Sequence, residues 1–275
     1  WTADIVSLSV AQAIQSAQPA RLSLGTHNTE GLNRNRRGDS VTDPRLTALQ
    51  VQADEDRLIG LLVHFTAHPT ILDSDMMEIS AGWPGVLCRT LEKHINAGIK
   101  AVYLNGALGD VSPSADSPGT DIEKMIVYGR RVSDAALAAL DDREAMESPS
   151  LSYAEVTVDL PKRTLSEQFK AIAGEEYEID EAAASAMISM LFPEKATVQA
   201  VRLGPLLLVG IPGEAAASLG LRIREELESS EDVTALVVGL AGNYIGYILP
   251  PDEYDEGGYE ATVSFYGRKL GTIVT

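Results

Sequence analysis

Two short apolar runs, Leu58 to Phe65 and Ile99 to Leu104, narrow what this chain can fold into more than any other feature. Each has the length and β-branched content of a buried strand, and each gives way to polar, Gly- and Pro-rich residues. Between them, Pro84 to Ala97 carries apolar residues at helical spacing, so the block reads as strand, helix, strand. That unit predicts an α/β fold: a mixed central β-sheet flanked by helices, with the site in loops beyond the strand carboxyl ends. His68 falls just past the first strand, and Asp110 and Ser112 just past the second.

The remaining segments add elements around that block. Ala3 to Gln18 has the spacing of an amphipathic helix, and Arg21 to Gly25 reads as a short strand. Asn28 to Pro44 is polar and Arg-rich, hence a loop. Leu46 to Ala53 and Arg57 to Phe65 form a hairpin about A-D-E-D. A helix is expected near Ile122 to Leu140, then an alternating strand from Leu151 to Leu160. The stretch 161–196, acidic and alanine-rich in its middle, reads as a helical insert. Thr197 to Leu203 and Leu206 to Ile211 make a second hairpin, P-G-E opens a helix over Ala215 to Leu227, and Val233 to Leu240 is another buried strand.

Composition excludes several function classes. The 275 residues hold 40 acidic against 22 basic side chains, a net charge of −18. Phosphate backbones require clustered Lys and Arg, so nucleic acid is not an expected partner. No apolar run approaches the roughly 18 residues that span a bilayer. A single cysteine, Cys88, excludes an internal disulfide and any multi-cysteine metal site, and its helical setting predicts a small buried thiol.

Of four histidines, His64 lies inside a strand and suits the core, and His94 sits on a helix of mixed polarity. His27, in a Gly/Asn loop, is left open. His68 precedes Pro69, which favours extended backbone and presents the ring at the sheet edge. Glu214, in strand–P-G-E–helix, suits either a carboxylate favouring the helix dipole or a metal ligand. Tyr244, Tyr247, Tyr254 and Tyr259 crowd into one Gly/Pro-rich segment after a buried strand, where binding groups concentrate. G-D-V-S-P at 109–113 is neither a phosphate loop, lacking G-K-[ST], nor a G-x-S-x-G nucleophile elbow.

Taken in order, G-L-N-R (31–34), D-P-R-L-T-A-L (43–49), F-T-A-H-P-T (65–70), N-G-A-L-G-D-V-S-P (105–113), I-P-G-E (211–214) and the tyrosine segment 243–260 resemble the neutral/alkaline ceramidase family. These are zinc-dependent amide hydrolases that cleave N-acylsphingosines. The resemblance implies one catalytic α/β domain over 1–275, a Zn2+ ion bound by His68, Glu214 and Tyr247, and catalytic roles for Ser112, Arg34 and Tyr259. Asn33-Arg34 and Asn35-Arg36 both fit the arginine motif, so that register stays open. The implied partner is a small lipid amide, met in transient contact with a membrane surface, and the implied location is secreted or periplasmic.

Two departures from the family pattern stand out. Its first zinc-binding histidine lies in an upstream H-T-H-S-type segment with no counterpart before Asn28, so the N-terminal part of the natural domain is expected to be missing. Gly82 stands where members commonly carry Asp. The chemistry is consistent: zinc lowers the pKa of bound water to about 7 and polarises a carbonyl, as amide hydrolysis requires. A tyrosine and an arginine would stabilise the charge that develops, and Asp110 could orient a ligand. The competing readings are a non-catalytic binding member of the same scaffold, and a metal-independent serine amidase using Ser112 and His68.

Overall fold

The strand–helix–strand block forms as the apolar runs require. In the computed structural model, which describes residues 1–38, 40–54, 57–95, 98–176 and 179–275, the chain opens with α1 (Thr2–Gln15), β1 (Arg21–Asn28) and β2 (Asn33–Asn35). A hairpin of β3 (Arg45–Asp54) and β4 (Arg57–Phe65) leads through α2 (Gly82–Ile95) to β5 (Lys100–Asn105). Then come β6 (Val111–Pro113), α3 (Asp121–Asp141), β7 (Glu144–Ala145), β8 (Leu151–Asp159), α4 (Glu167–Glu176) and α5 (Glu181–Leu191). The second half continues with β9 (Lys195–Leu203), β10 (Leu206–Gly210), β11 (Glu214–Ala215), α6 (Ala217–Ser230) and β12 (Thr234–Val238). It closes with β13 (Tyr247–Ile248), α7 (Pro251–Glu256), α8 (Tyr259–Thr262) and α9 (Leu270–Val274). Part of the predicted A-D-E-D turn (55–56), the end of the helix expected to Ala97 (96–97) and residues 177–178 of the insert lie outside the described residues.

The fold is α/β with helices flanking mixed sheets, but the expected central sheet is divided. One sheet runs β5-β4-β3-β1-β7 and a second β12-β10-β9-β8, and two short ribbons, β2-β6 and β11-β13, stand apart from both. Each large sheet has one parallel pair, β4 with β5 and β10 with β12, and is otherwise antiparallel. The division follows from where the leucines point. Leu22, Leu24, Leu49 and Leu62 of the first sheet meet Leu206, Leu208 and Leu236 of the second in a shared apolar layer. Two half-size sheets thereby bury a face that one wide sheet would leave to solvent. His64 is a core residue, its Nε2 2.8 Å from the Val237 carbonyl across this join.

Helices α2 and α3 cover the opposite face of the first sheet. Thr120 and Glu123 form a reciprocal capping box that starts α3. Gly82 begins α2 in the left-handed region at φ +58. A side chain there would meet Pro84 and Pro69 only at ordinary contact distance, so an Asp would fit in space and carry backbone strain. Cys88 is half-buried rather than enclosed.

α1 forms, yet none of its residues is buried: Ile5, Val6, Leu8, Val10 and Ile14 are all exposed. Periodicity identified the helix but not what covers its apolar side. The loop expected from Asn28 to Pro44 contains β2, and the insert contains α4 and α5, which build a small cluster of Phe169, Ala184, Ile188 and Phe265. Among the described residues no helix is long and apolar enough to cross a membrane.

Candidate active site

His68 stands just beyond β4 and is fixed before its ring does anything. Its N–H donates to the Val111 carbonyl at 3.0 Å, and its own carbonyl accepts from the Trp83 indole at 3.0 Å. Trp83 is fully buried, with Phe65, Tyr103 and Tyr128 edge-on at 6.4, 4.9 and 5.2 Å, so the anchor is rigid. Nδ1 lies 3.1 Å from the same Val111 carbonyl. A carbonyl only accepts, so Nδ1 carries a proton and Nε2 faces Glu214 Oε2 at 2.8 Å. A neutral ring in that tautomer would set a lone pair against a carboxylate oxygen. The contact therefore needs either a proton shared between Nε2 and Oε2 or a cation that both groups bind.

Glu214 is not at a helix start, contrary to the P-G-E reading. It lies in β11, paired parallel with β13 in the register Glu214 to Tyr247 and Ala215 to Ile248. Its N–H donates to the Gly246 carbonyl at 2.9 Å, and Ala216 N–H donates to Ile248 at 2.9 Å. The backbone thus stays extended through Ala216, and α6 begins at Ala217. Asp110 takes up that helix end instead: Oδ1 accepts from Ala217 N at 2.8 Å and Oδ2 from Asn35 at 2.7 Å. Burial pushes the Asp110 carboxyl upward, against these bonds.

The ribbon brings Glu214 and Tyr247, distant in sequence, side by side. Tyr244 donates its hydroxyl to Glu214 Oε1 at 2.8 Å. Burial works to raise the Glu214 carboxyl, but the bonds from His68 and Tyr244 outweigh it and hold the group below its usual range. The Tyr247 phenol moves the other way, raised by burial and by the nearby Glu214 charge. Arg36 Nη2 donates to the Tyr247 oxygen at 3.2 Å, and its guanidinium carbon is 5.7 Å from the ring centres of both Tyr247 and Tyr259. Those rings meet edge to face at 5.7 Å.

A cavity of about 690 Å3 opens here, lined by Arg36, His68, Thr70, Tyr247, Tyr259 and Glu260 among others. Ser112 and Arg34 belong to the β2–β6 ribbon, where they are direct cross-strand partners, Ser112 half-buried and Arg34 exposed. Of the two arginines the sequence leaves open, Arg36 is the one that touches Tyr247. Arg37 and Glu260 are not singled out from sequence, and Tyr244 is marked only as one of the crowded tyrosines. Their signal lay in the crowded tyrosines and the doubled arginine, but no spacing rule pairs residues so far apart.

His68, Glu214 and Tyr247 together offer one imidazole nitrogen, carboxylate oxygens and a phenol oxygen, a donor chemistry that suits Zn2+. Among the described residues no three His, Cys, Asp or Glu side chains cluster, so the set reaches three only through the tyrosine. The opposed His68 and Glu214 atoms, which need a proton or a cation between them, fit such an ion.

Residues 151–273 match the family model described as neutral/alkaline non-lysosomal ceramidase, N-terminal. A neutral ceramidase of Mycobacterium tuberculosis is 42% identical over 74 residues, which are 26% of this chain and 12% of that protein. Neutral ceramidase B of Dictyostelium discoideum is 34% identical over 88 residues, 30% of this chain and 12% of that protein. The crystal structure of neutral ceramidase from Pseudomonas aeruginosa superposes with a TM-score of 0.79 at 20% identity, covering 96% of this chain and 52% of that one. The chain thus spans about half the length of the solved structure it matches, and the stretches matched to the curated relatives are a smaller share of those proteins. The class is an α/β fold shared with a solved neutral ceramidase. The family likeness in sequence lies in residues 151–273, which match the neutral/alkaline ceramidase model, and the fold likeness extends over 96% of the chain.

Proposed function

We propose that this chain carries part of the hydrolytic site of an N-acyl amide hydrolase, with ceramide (N-acylsphingosine) as substrate. The observation that carries this reading is the meeting of His68 Nε2 and Glu214 Oε2 at 2.8 Å, beside a tyrosine held in register by the β11–β13 ribbon. In this reading His68, Glu214 and Tyr247 hold one Zn2+ ion, and the fourth donor implied by the family resemblance is a histidine without a counterpart in this chain. When bound, zinc supplies a water of lowered pKa and polarises the amide carbonyl.

The chain's own residues do the rest. The Val111 carbonyl holds the proton on Nδ1, so the Nε2 lone pair remains available to a metal. Tyr244 holds Glu214 in one orientation. Tyr259, 56% exposed at the cavity rim, is free to hydrogen-bond a substrate carbonyl, and Arg36 adds positive charge where oxyanion charge develops. Ser112 and Arg34, side by side on the neighbouring ribbon, are substrate contacts in this scheme.

The test combines metal analysis with hydrolysis of an N-acylsphingosine by the full-length protein. About one zinc per chain is expected in the parent. His68→Ala and Glu214→Ala should lose zinc and turnover together, and Ser112→Ala should lose turnover with zinc retained. Zinc retained after loss of both His68 and Glu214 would overturn the assignment. Full activity after chelation would favour the serine amidase, and a protein with neither zinc nor turnover the binding member.

A further inference from the structure

Glu260 is a carboxylate with only 3% of its surface exposed, and it is bonded by two arginines. Oε1 accepts from Arg36 Nε at 2.6 Å, and Oε2 from Arg37 Nη1 at 3.1 Å. Arg37 is further committed to the main chain, donating to Gly257 O at 2.9 Å and Glu253 O at 2.8 Å. It therefore ties the segment before Tyr259 to the loop that follows β2. Arg36 is committed differently. Both Nη2 hydrogens are used, one on Gly109 O at 2.7 Å and one on the Tyr247 hydroxyl at 3.2 Å. Nη1 has no partner among the described residues, and Arg36 lines the cavity.

A guanidinium is planar, so fixing Nε and Nη2 fixes where Nη1 points. A buried carboxylate bonded by two cations is costly to desolvate, and apolar packing would fill the same space at less expense. Its value here is directional. We propose that Glu260 is a positioning residue: it sets the Arg36 plane so that Nη2 holds the Tyr247 hydroxyl and Nη1 is presented to a ligand oxygen, such as an amide carbonyl. This rests on the amide-hydrolase reading above and adds to it a residue that acts through Arg36.

In the full-length protein, Glu260→Gln keeps the shape and removes the charge. With an N-acylsphingosine substrate, kcat should fall about 10- to 100-fold, the loss typical when a group supporting a metal site is removed. KM should change little, because the loss is confined to the transition state. The double variant Arg36→Gln/Glu260→Gln should be no slower than Arg36→Gln alone, since one residue acts through the other. Losses that multiply in the double variant, or a kcat for Glu260→Gln within about twofold of the parent, would overturn the proposal. A second readout needs neither turnover nor metal: with 13C-labelled tyrosine, the Tyr247 signal, assigned through Tyr247→Phe, should shift in metal-free Glu260→Gln. An unmoved signal overturns the proposal even in a protein that hydrolyses nothing, so its failure is distinct from failure of the hydrolase reading. If Glu260→Gln does not fold, Glu260→Asp is read by the same signal, with the same two outcomes.

Discussion

Tyr244 donates to the Glu214 oxygen that His68 leaves, so each carboxylate oxygen has its own partner. The sequence marks Tyr244 as one of a crowded group and gives it no role. Its role comes from a long-range contact, and neither periodicity nor a motif reports which tyrosine of a loop turns inward. His68 was more legible, because a histidine after a buried strand and before proline has few places to point. Arg36 shows the limit from another side: two Asn-Arg pairs are equivalent as text, and only the ribbon separates them. Tyr244→Phe removes one hydrogen bond to a charged acceptor, worth about 1.5–3 kcal/mol, without removing a proposed ligand. Zinc affinity, measured by chelator competition, should fall about 10- to 100-fold, and the thermal midpoint of the metal-free protein should fall by roughly 3–12 °C. An unchanged affinity would mean that Tyr244 plays no part in holding Glu214 for the metal.

At the scale of elements, long apolar runs and the hairpins were readable because burial and period both act within a few residues. β4, α2, β5, the β3–β4 hairpin and the β9–β10 hairpin all form where the patterns indicate them. The two short ribbons were not readable. β11 and β13 are two residues each, held by main-chain bonds, and two residues carry no period. They nevertheless decide the site, because the β11–β13 register is what sets Glu214 beside Tyr247. Gly109 is where that ribbon is pressed against the G-D-V-S-P segment. Its N–H donates to Ala215 O at 2.8 Å, and a Cβ added to it would lie 2.5 Å from Glu214 O. Neither neighbour is a flexible side-chain end, so Gly109→Ala must displace backbone. The expected cost is about 1–3 kcal/mol, seen as a lower thermal midpoint. Zinc should be lost at temperatures where the fold persists, and full retention of both would show that the ribbon relaxes without moving Glu214.

For the whole molecule the dominant unbalanced quantity is charge. Even if every Lys and Arg were paired, 18 carboxylates would remain without a cation. Some pairs are shielded within the fold, Arg36 with Glu260 and Arg224 with Asp43 among them, and salt reaches these poorly. The excess is different, since much of it lies on exposed carboxylates that repel one another through solvent. The Debye length shortens from about 30 Å at 0.01 M to about 8 Å at 0.15 M, so added salt removes repulsion faster than it weakens the buried pairs. The unfolded chain has the same charge spread over a larger volume, so relief of repulsion favours the compact state. Raising NaCl from about 10 to 150 mM at pH 7 should therefore raise the thermal midpoint of this chain. A gain of about 1 kcal/mol corresponds to roughly 2–4 °C at this size. Chloride is the right anion for the measurement, because sulfate and phosphate strengthen apolar burial as well. A midpoint that falls with NaCl would mean that favourable ion pairs, rather than the net excess of carboxylates, dominate the electrostatics of this fold.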